Sequence, residues 1–287
     1  MNPRFAAAGA ALALAACGSQ PSSTASTKPT PAPPHATAAP DAAKLLPGSA
    51  HYLLHTRIHI QQDFTGLPPV IELGYSIYLS TAVTGPADSS GWPTSFTIDS
   101  ILTDSGLTMP PGMNLAAARG YRLAGRVKSN GEFVSGVSSD SGVAQSLGQL
   151  LPRFRNFYPR LAGRELKPGD AWSDTTNTTD ATAGGTITTK SISRRTAAPW
   201  GTRNGVRALP VNVMSTFDFS GTGDGGGFPF SIEGAGAGTA TQYLGADGRY
   251  LGAESRDSSS LSLILPTQGA TIPRRQIAQT TLTLLGQ

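Results

Sequence analysis

The chain of 287 residues contains a single cysteine, Cys17. One thiol cannot close an intramolecular disulfide or build a metal site alone, so Cys17 is a nucleophile, an inert filler or an attachment point. Charge is scarce too: Asp, Glu, Lys and Arg make up 14% of the residues and sum to +4, too mild a surplus to argue for nucleic acid as a partner. No apolar run reaches the roughly 20 residues that a membrane-spanning helix requires. There is no G-x-S-x-G elbow, and the glycine-rich run GTGDGGG at 221–227 lacks the lysine and following helix of a phosphate loop. Asp218 and Asp224, with Glu233 beyond, supply too few oxygens at fixed spacing for a calcium loop, so the run reads as a hairpin tip. These absences leave no catalytic constellation, no cofactor and no metal site, and the expectation is a protein that is not an enzyme.

What is present starts at the N-terminus. Arg4 supplies a positive charge, residues 5–13 an apolar stretch, and small residues follow up to Cys17, which is the order of a secretory signal. Leu14, Ala15, Ala16 and Cys17 resemble the bacterial lipobox, with Leu first, small residues second and third, and Cys fourth. The resemblance implies that residues 1–16 are a lipoprotein signal peptide, that the Cys17 thiol is diacylglycerated, and that its new amino group is acylated after cleavage. A thiol suits thioether formation near neutral pH, and several acyl chains together anchor stably where one does not. The membrane, reached through lipidated Cys17, is then the first partner. Gly18 follows the Cys where enteric-type bacteria use Asp for inner-membrane retention, so an outer-membrane or periplasm-facing envelope location is expected.

Residues 17–44 carry the lipidated Cys and a tract rich in Pro, Ser, Thr and Ala without a large apolar residue. Such a segment buries too little to offset chain entropy and is expected to be a disordered tether. At about 3.1 Å per residue its extended reach is roughly 80 Å, and as a coil about 30 Å.

Residues 45–287, with most of the 34 Gly and 22 Pro of the chain, have the composition of a turn-rich β domain. The clearest strand is Val70–Val83, where Ile71, Leu73, Tyr75, Ile77, Leu79 and Val83 share one parity. Further strands are predicted at 51–60, 95–102, 121–128, 132–137, 186–194, 206–219, 228–244, 249–265 and 275–285. Asn130-Gly131 and Asp247-Gly248 predict two-residue hairpins. Around these two turns, 117 residues apart, YRLAGRVKSNGEFVSG and YLGADGRYLGA form a faint internal repeat. One segment departs from the β pattern: Val143, Leu147, Leu150, Leu151, Phe154 and Tyr158 form a helical stripe, with Ser141 as N-cap and Pro152 kinking it. Lys167-Pro168-Gly169-Asp170 predicts a tight turn, after which Trp172 opens the second half of the sheet as a core residue.

Gly131, residues 157–159, residues 167–170 and Trp172 resemble an uncharacterised family of bacterial lipoproteins with a KPGDxW turn. By topology the chain also resembles half-barrel lipoprotein carriers. The implied fold is mainly β, of the α+β type: a curved antiparallel sheet, open or half-barrel, with one central helix packed on its concave face.

His51, His55 and His59 are four residues apart. On a helix they would share a face and suggest a metal; on the strand that their alternation predicts, neighbours are about 13 Å apart and cannot share an ion. Arg153, Arg155, Arg160 and Arg164, with Lys167, form the densest basic cluster, either a contact for anionic surfaces or a solvated face. The expected function is a lipid-anchored envelope protein whose β domain binds or carries a hydrophobic ligand without catalysis. The alternative is a structural lipoprotein that docks an envelope partner. For the anchor, Cys17→Ser is expected to release the protein from the membrane fraction with the unprocessed precursor accumulating, read by fractionation and immunoblotting. Full membrane association without precursor would refute the lipobox.

Overall fold

The computed structural model describes residues 41–63, 66, 68–107, 118–140, 143, 154, 156–182, 185–224 and 228–286. They build twelve strands: β1 (Ala50–Gln62), β2 (Val70–Val83), β3 (Trp92–Thr103), β4 (Arg122–Val127), β5 (Phe133–Ser138), β6 (Ala171–Thr182), β7 (Gly185–Ala197), β8 (Gly201–Arg203), β9 (Val206–Asp224), β10 (Pro229–Gly245), β11 (Tyr250–Leu265) and β12 (Ala270–Gly286). All pair antiparallel in one sheet of order β5-β4-β3-β2-β1-β12-β11-β10-β9-β7-β6, with β8 on β9. The sheet is open, so β5 and β6 are edges. β5 is short, and β6 carries Thr, Asn and Asp along its length, both of which discourage pairing with another chain.

Alternation sets the two faces. On β1, Tyr52, Leu54, Ile58 and Ile60 stand opposite Leu79, Ile77, Leu73 and Ile71 of β2, all on one side, which we call the inner face. The same side of β12 presents Leu284, Leu282, Ala278 and Gln276 to β1. Burial of β2 follows the period expected from its sequence, Leu73, Tyr75, Ile77 and Leu79 being buried. Packed on this inner face is the main core, which includes Phe96 and Phe133 from the sheet and Phe154, Phe157, Tyr158 and Leu161 from the connection between β5 and β6. The Phe157 ring sits 5.0 Å from Tyr52 and from Phe96, edge to face, the geometry that aromatic quadrupoles favour.

The expected helix over 141–158 lies mostly outside the described residues, as do Ser141, Leu147, Leu150, Leu151 and Pro152. Among the described residues no α-helical element is present. Its final part is corrected: Phe157 N–H donates to Phe154 C=O at 3.3 Å in a turn, because Pro159 disfavours helical backbone in the residue before it. The packing of Phe154 and Tyr158 into the core holds. The turn at 167–170 forms as expected, with Gly169 at φ 88° and Asp170 N–H donating to Lys167 C=O at 3.0 Å. Trp172 begins β6 nearby, packs against the core and donates to Arg160 C=O at 3.2 Å.

The two hairpin dipeptides are corrected in type. In each, only the glycine has positive φ, 79° at Gly131 and 87° at Gly248. Lys128 N–H donates to Glu132 C=O, as Gly245 N–H does to Arg249 C=O, giving longer loops closed by a left-handed glycine. The two turns are built alike, which is what remains of the faint repeat. The two-residue turn with positive φ at both positions is instead Asn204-Gly205, φ 50° and 76°, joining β8 to β9. Ordered packing begins by Ala43, which is buried and exchanges two hydrogen bonds with Leu166, so the end of the expected tether belongs to the domain.

β10 carries Gly234, Gly236 and Gly238 at successive inner positions. Across the strand pair Phe219 faces Gly234 and Phe217 faces Gly236, and a Cβ on either glycine would fall inside the facing ring. The rings cover bare backbone that no side chain of β10 could cover. Gly236→Val is therefore expected to destabilise the fold by about 1–3 kcal/mol through overpacking. Phe217→Leu in the same chain should return part of it, so urea unfolding of both single variants and the double variant should show less than additive loss.

Candidate functional site

Cys17, Arg153 and Arg155 lie outside the described residues. Arg160 is largely buried and 3.6 Å from Glu132, while Arg164 is exposed and 3.2 Å from Asp170. These two members of the basic cluster are thus committed to acids of the same chain rather than gathered into one patch. The carboxyl groups of Glu132 and Asp170 lie below the usual range, Glu132 chiefly through its hydrogen bond from Lys128 and Asp170 through the Lys167 backbone N–H. Asp218 and Asp224 sit on β9 and Glu233 on β10. Among the described residues no three His, Cys, Asp or Glu side chains converge to hold a metal ion.

His51, His55 and His59 lie on β1, as alternation predicts, on the face opposite the main core. Each meets its own acid on a neighbouring segment. His55 Nε2 donates to Asp104 Oδ2 at 2.9 Å, and Arg57 Nε donates to the same oxygen at 3.2 Å. His59 Nδ1 bonds Glu72. Ser80 Oγ links His51 Nδ1, at 2.9 Å, to Asp99, at 2.6 Å. Asp99 is the extra residue of a bulge between β2 and β3, an irregularity that re-aims a side chain. The row is a line of separate cross-strand pairs.

The inner face of the long strands holds what sequence reasoning missed. Along β11 from Ala253 the inward residues are Ser255, Asp257 and Ser259 before apolar Leu261 and Leu263. Beside them β12 offers Thr280, Gln276 and Arg274. Along β11 this polar belt stands between the main core and a second apolar cluster of Phe217, Phe219, Ile232, Leu261, Leu263 and Ile272, while on β1 the main core runs on through Ile58 and Ile60. At about 3.3 Å per residue the belt holds Ala253 and Leu261 roughly 26 Å apart.

A cavity of about 860 Å³ borders the second cluster. Gln62, Arg274, Leu261, Gly234 and Phe219, which line it, form a single cross-strand row through β1, β12, β11, β10 and β9. Within the row Gln62 Nε2 donates to Pro68 C=O at 2.9 Å. That bond turns Oε1 away, and Oε1 and Arg274 Nε are both buried without a hydrogen-bond partner. The signal for this site was in the sequence: adjacent strand residues point to opposite faces, so one residue of Arg274-Arg275 must face inward. Predicting the strand from 275 left Arg274 outside it.

Two buried phenols belong to the framework. Tyr52 donates to Tyr250 C=O at 3.0 Å. Burial raises its pKa, and pushes that of Tyr158 up to about 12, so both stay neutral at ordinary pH.

No protein family and no curated protein matches the sequence. A solved structure similar to the chain, OmpTdeltaL8, a loop L8 deletion mutant of OmpT, an outer membrane protein of Vibrio cholerae, shares 8% identity over 82% of this chain and 98% of its own. Its TM-score of 0.16 is too slight to bear on fold or function.

The Asp104 pairing has a pH consequence. The hydrogen bond from His55 first, and then that from Arg57, holds its folded carboxyl below the ordinary value. A depressed folded pKa stabilises above the unfolded value, near 4, and the contribution drains away as pH falls through the folded one. Asp104→Asn should therefore lower the unfolding midpoint at pH 6, with the gap to wild type narrowing below about pH 4. Thermal melts of both chains across this range test it, and a gap that widens in acid would refute the assignment.

Proposed function

We propose that the protein is a lipid-anchored protein of the cell envelope, exported by residues 1–16 and held by acylated Cys17, whose β domain binds or carries a hydrophobic ligand without catalysing a reaction. In this reading the open sheet curves as a half-barrel whose concave face is covered by the connection between β5 and β6. The packing of Phe154, Phe157 and Tyr158 on the inner face supports that placement. The tether lets the domain reach away from the membrane, and the outer membrane is the location that Gly18 favours.

The observation that carries the reading is the second apolar cluster. Domains bury one contiguous core, their smaller satellite clusters lying under long loops. Here Phe217, Phe219, Leu261 and their neighbours form a separate cluster beyond a polar belt, and Phe219 and Leu261 open on a cavity of about 860 Å³. That volume lies in the range of small-molecule sites. Native mass spectrometry of the Cys17→Ser chain, purified without detergent, is expected to show a co-purifying mass of lipid size, or uptake of added oleate. A clean apo mass with no uptake would overturn the ligand reading in favour of a lipoprotein that docks an envelope partner.

A further inference from the structure

Among the described residues Arg195 and Arg274 are buried and Arg160 and Arg203 nearly so, and three of these four have an acid beside them. Arg160 has Glu132 at 3.6 Å, Arg195 has Asp174 at 3.6 Å, and Arg203 has Glu254 at 2.6 Å. The fourth, Arg274, is 93% buried, its exposure being 7%. Among the described residues no carboxylate lies in ion-pair range of it, which sets it apart; its Nε, like those of the other three, is buried without a hydrogen-bond partner. Asp63, Glu233 and Arg275 also border the cavity, but all three are exposed, and Glu233 and Arg275 alternate with the inward Gly234 and Arg274 and so project to the opposite face.

The contrast with Arg195 is instructive because each belongs to a pair of adjacent arginines on a strand. In Arg194-Arg195 the inward residue is Arg195, and β6 supplies Asp174 to it. In Arg274-Arg275 the inward residue is Arg274, and its cross-strand neighbours are Gln62 and Leu261. A buried charge without a counter-charge is strongly unfavourable, and burial pulls the Arg274 guanidinium below its ordinary value while leaving it charged at any working pH. Such a residue persists where something outside the chain completes it.

We propose that Arg274 binds the anionic head of an amphiphilic ligand, a carboxylate or phosphate, whose hydrocarbon part lies along Leu261 and Phe219 in the same row. The inference rests on the proposed ligand-binding function and names the ligand class. Gln62 Oε1, turned away from Pro68 beside Arg274, accepts a hydroxyl or amide N–H of the same head. The guanidinium fork matches planar or tetrahedral oxyanions, and the second apolar cluster gives the chain of the ligand a dry neighbour.

The test uses the full Cys17→Ser chain and four probes: oleate, oleyl alcohol, acetate and inorganic phosphate, with the two long-chain probes below their aggregation limits. Calorimetry should show oleate binding at least tenfold more tightly than oleyl alcohol, the scale of a hydrogen bond to a charged group. Acetate and phosphate should bind far more weakly. Arg274→Met should erase the preference for oleate and leave oleyl alcohol bound, and Arg274→Lys should keep part of it. Without ligand, Arg274→Met should also melt a few degrees higher, since an unpaired buried charge is removed. If neither long-chain probe binds, the ligand-binding function fails. If both bind equally, or Arg274→Met leaves the preference intact or lowers the melting point, ligand binding stands and the role of Arg274 is overturned. Phosphate or acetate bound as tightly as oleate would mean a site for free anions and refute the amphiphile.

Discussion

The ladder between β1 and β12 is the interaction on which the rest of this fold depends. It joins residues 52–62 to residues 274–284 in a continuous antiparallel register, with a bulge between Tyr52 and His51, and sits in the middle of the sheet. On one side β1 to β5 run outward in chain order, and on the other β12 back to β6. Without it there are two smaller sheets, each with an additional long open edge, and neither inner face is complete. The Thr56–Thr280 hydroxyl pair at 3.3 Å spans 224 residues of sequence within this ladder. The entropic cost of so distant a closure grows only logarithmically with length, but it must be met before the main core can assemble from both halves, which makes such pairings slow to form.

The ladder also sets the geometry of the inner face. It aligns Gln62 with Arg274 and Ile58 with Ala278, and the registers beyond it carry each row across to β9. A row of the sheet is therefore a chemical unit drawn from five strands. Toward one end the rows are apolar and covered by residues from the β5–β6 connection; in the middle they are polar; toward the other end they are apolar again beside an open cavity. Phe217 and Phe219, stacked with centroids 6.4 Å apart, both cover the glycines of β10, and Phe219 also lines the cavity, so that one ring serves stability and the site together.

Much of the strand inventory was legible because period two survives inspection of a single chain. Val70–Val83 was read to the residue, and 51–60 fell within the observed β1. β6 was missed apart from Trp172, because a strand of Thr, Asn and Asp has no apolar alternation to reveal it; its pairing with β7 supplies what its side chains lack. The turns were located but mistyped, since a dipeptide reports that glycine takes positive φ and not whether its neighbour does. The histidine row was correctly placed on a strand, yet its acids come from residues 72, 99 and 104, and which of these meets which histidine is a matter of register. The candidate site was the least legible part. Arg274 fell one residue outside the predicted strand, and Gln62 and Phe219 gave no sign of sharing a row with it.

The sequence by itself determined the strands, the glycine turns and the KPGD corner, because local alternation and φ preferences act over a few residues. It also contains, in Leu14 to Cys17, the whole of the motif on which the proposed anchor rests. Only the tertiary structure decided that the sheet is open, that its inner face carries two apolar regions with a polar belt between them, and that Arg274 is buried without an acid. Those properties belong to rows rather than strands. A row is assembled by register between residues as far apart as 62 and 274, and no local signal in either segment specifies what will stand beside it.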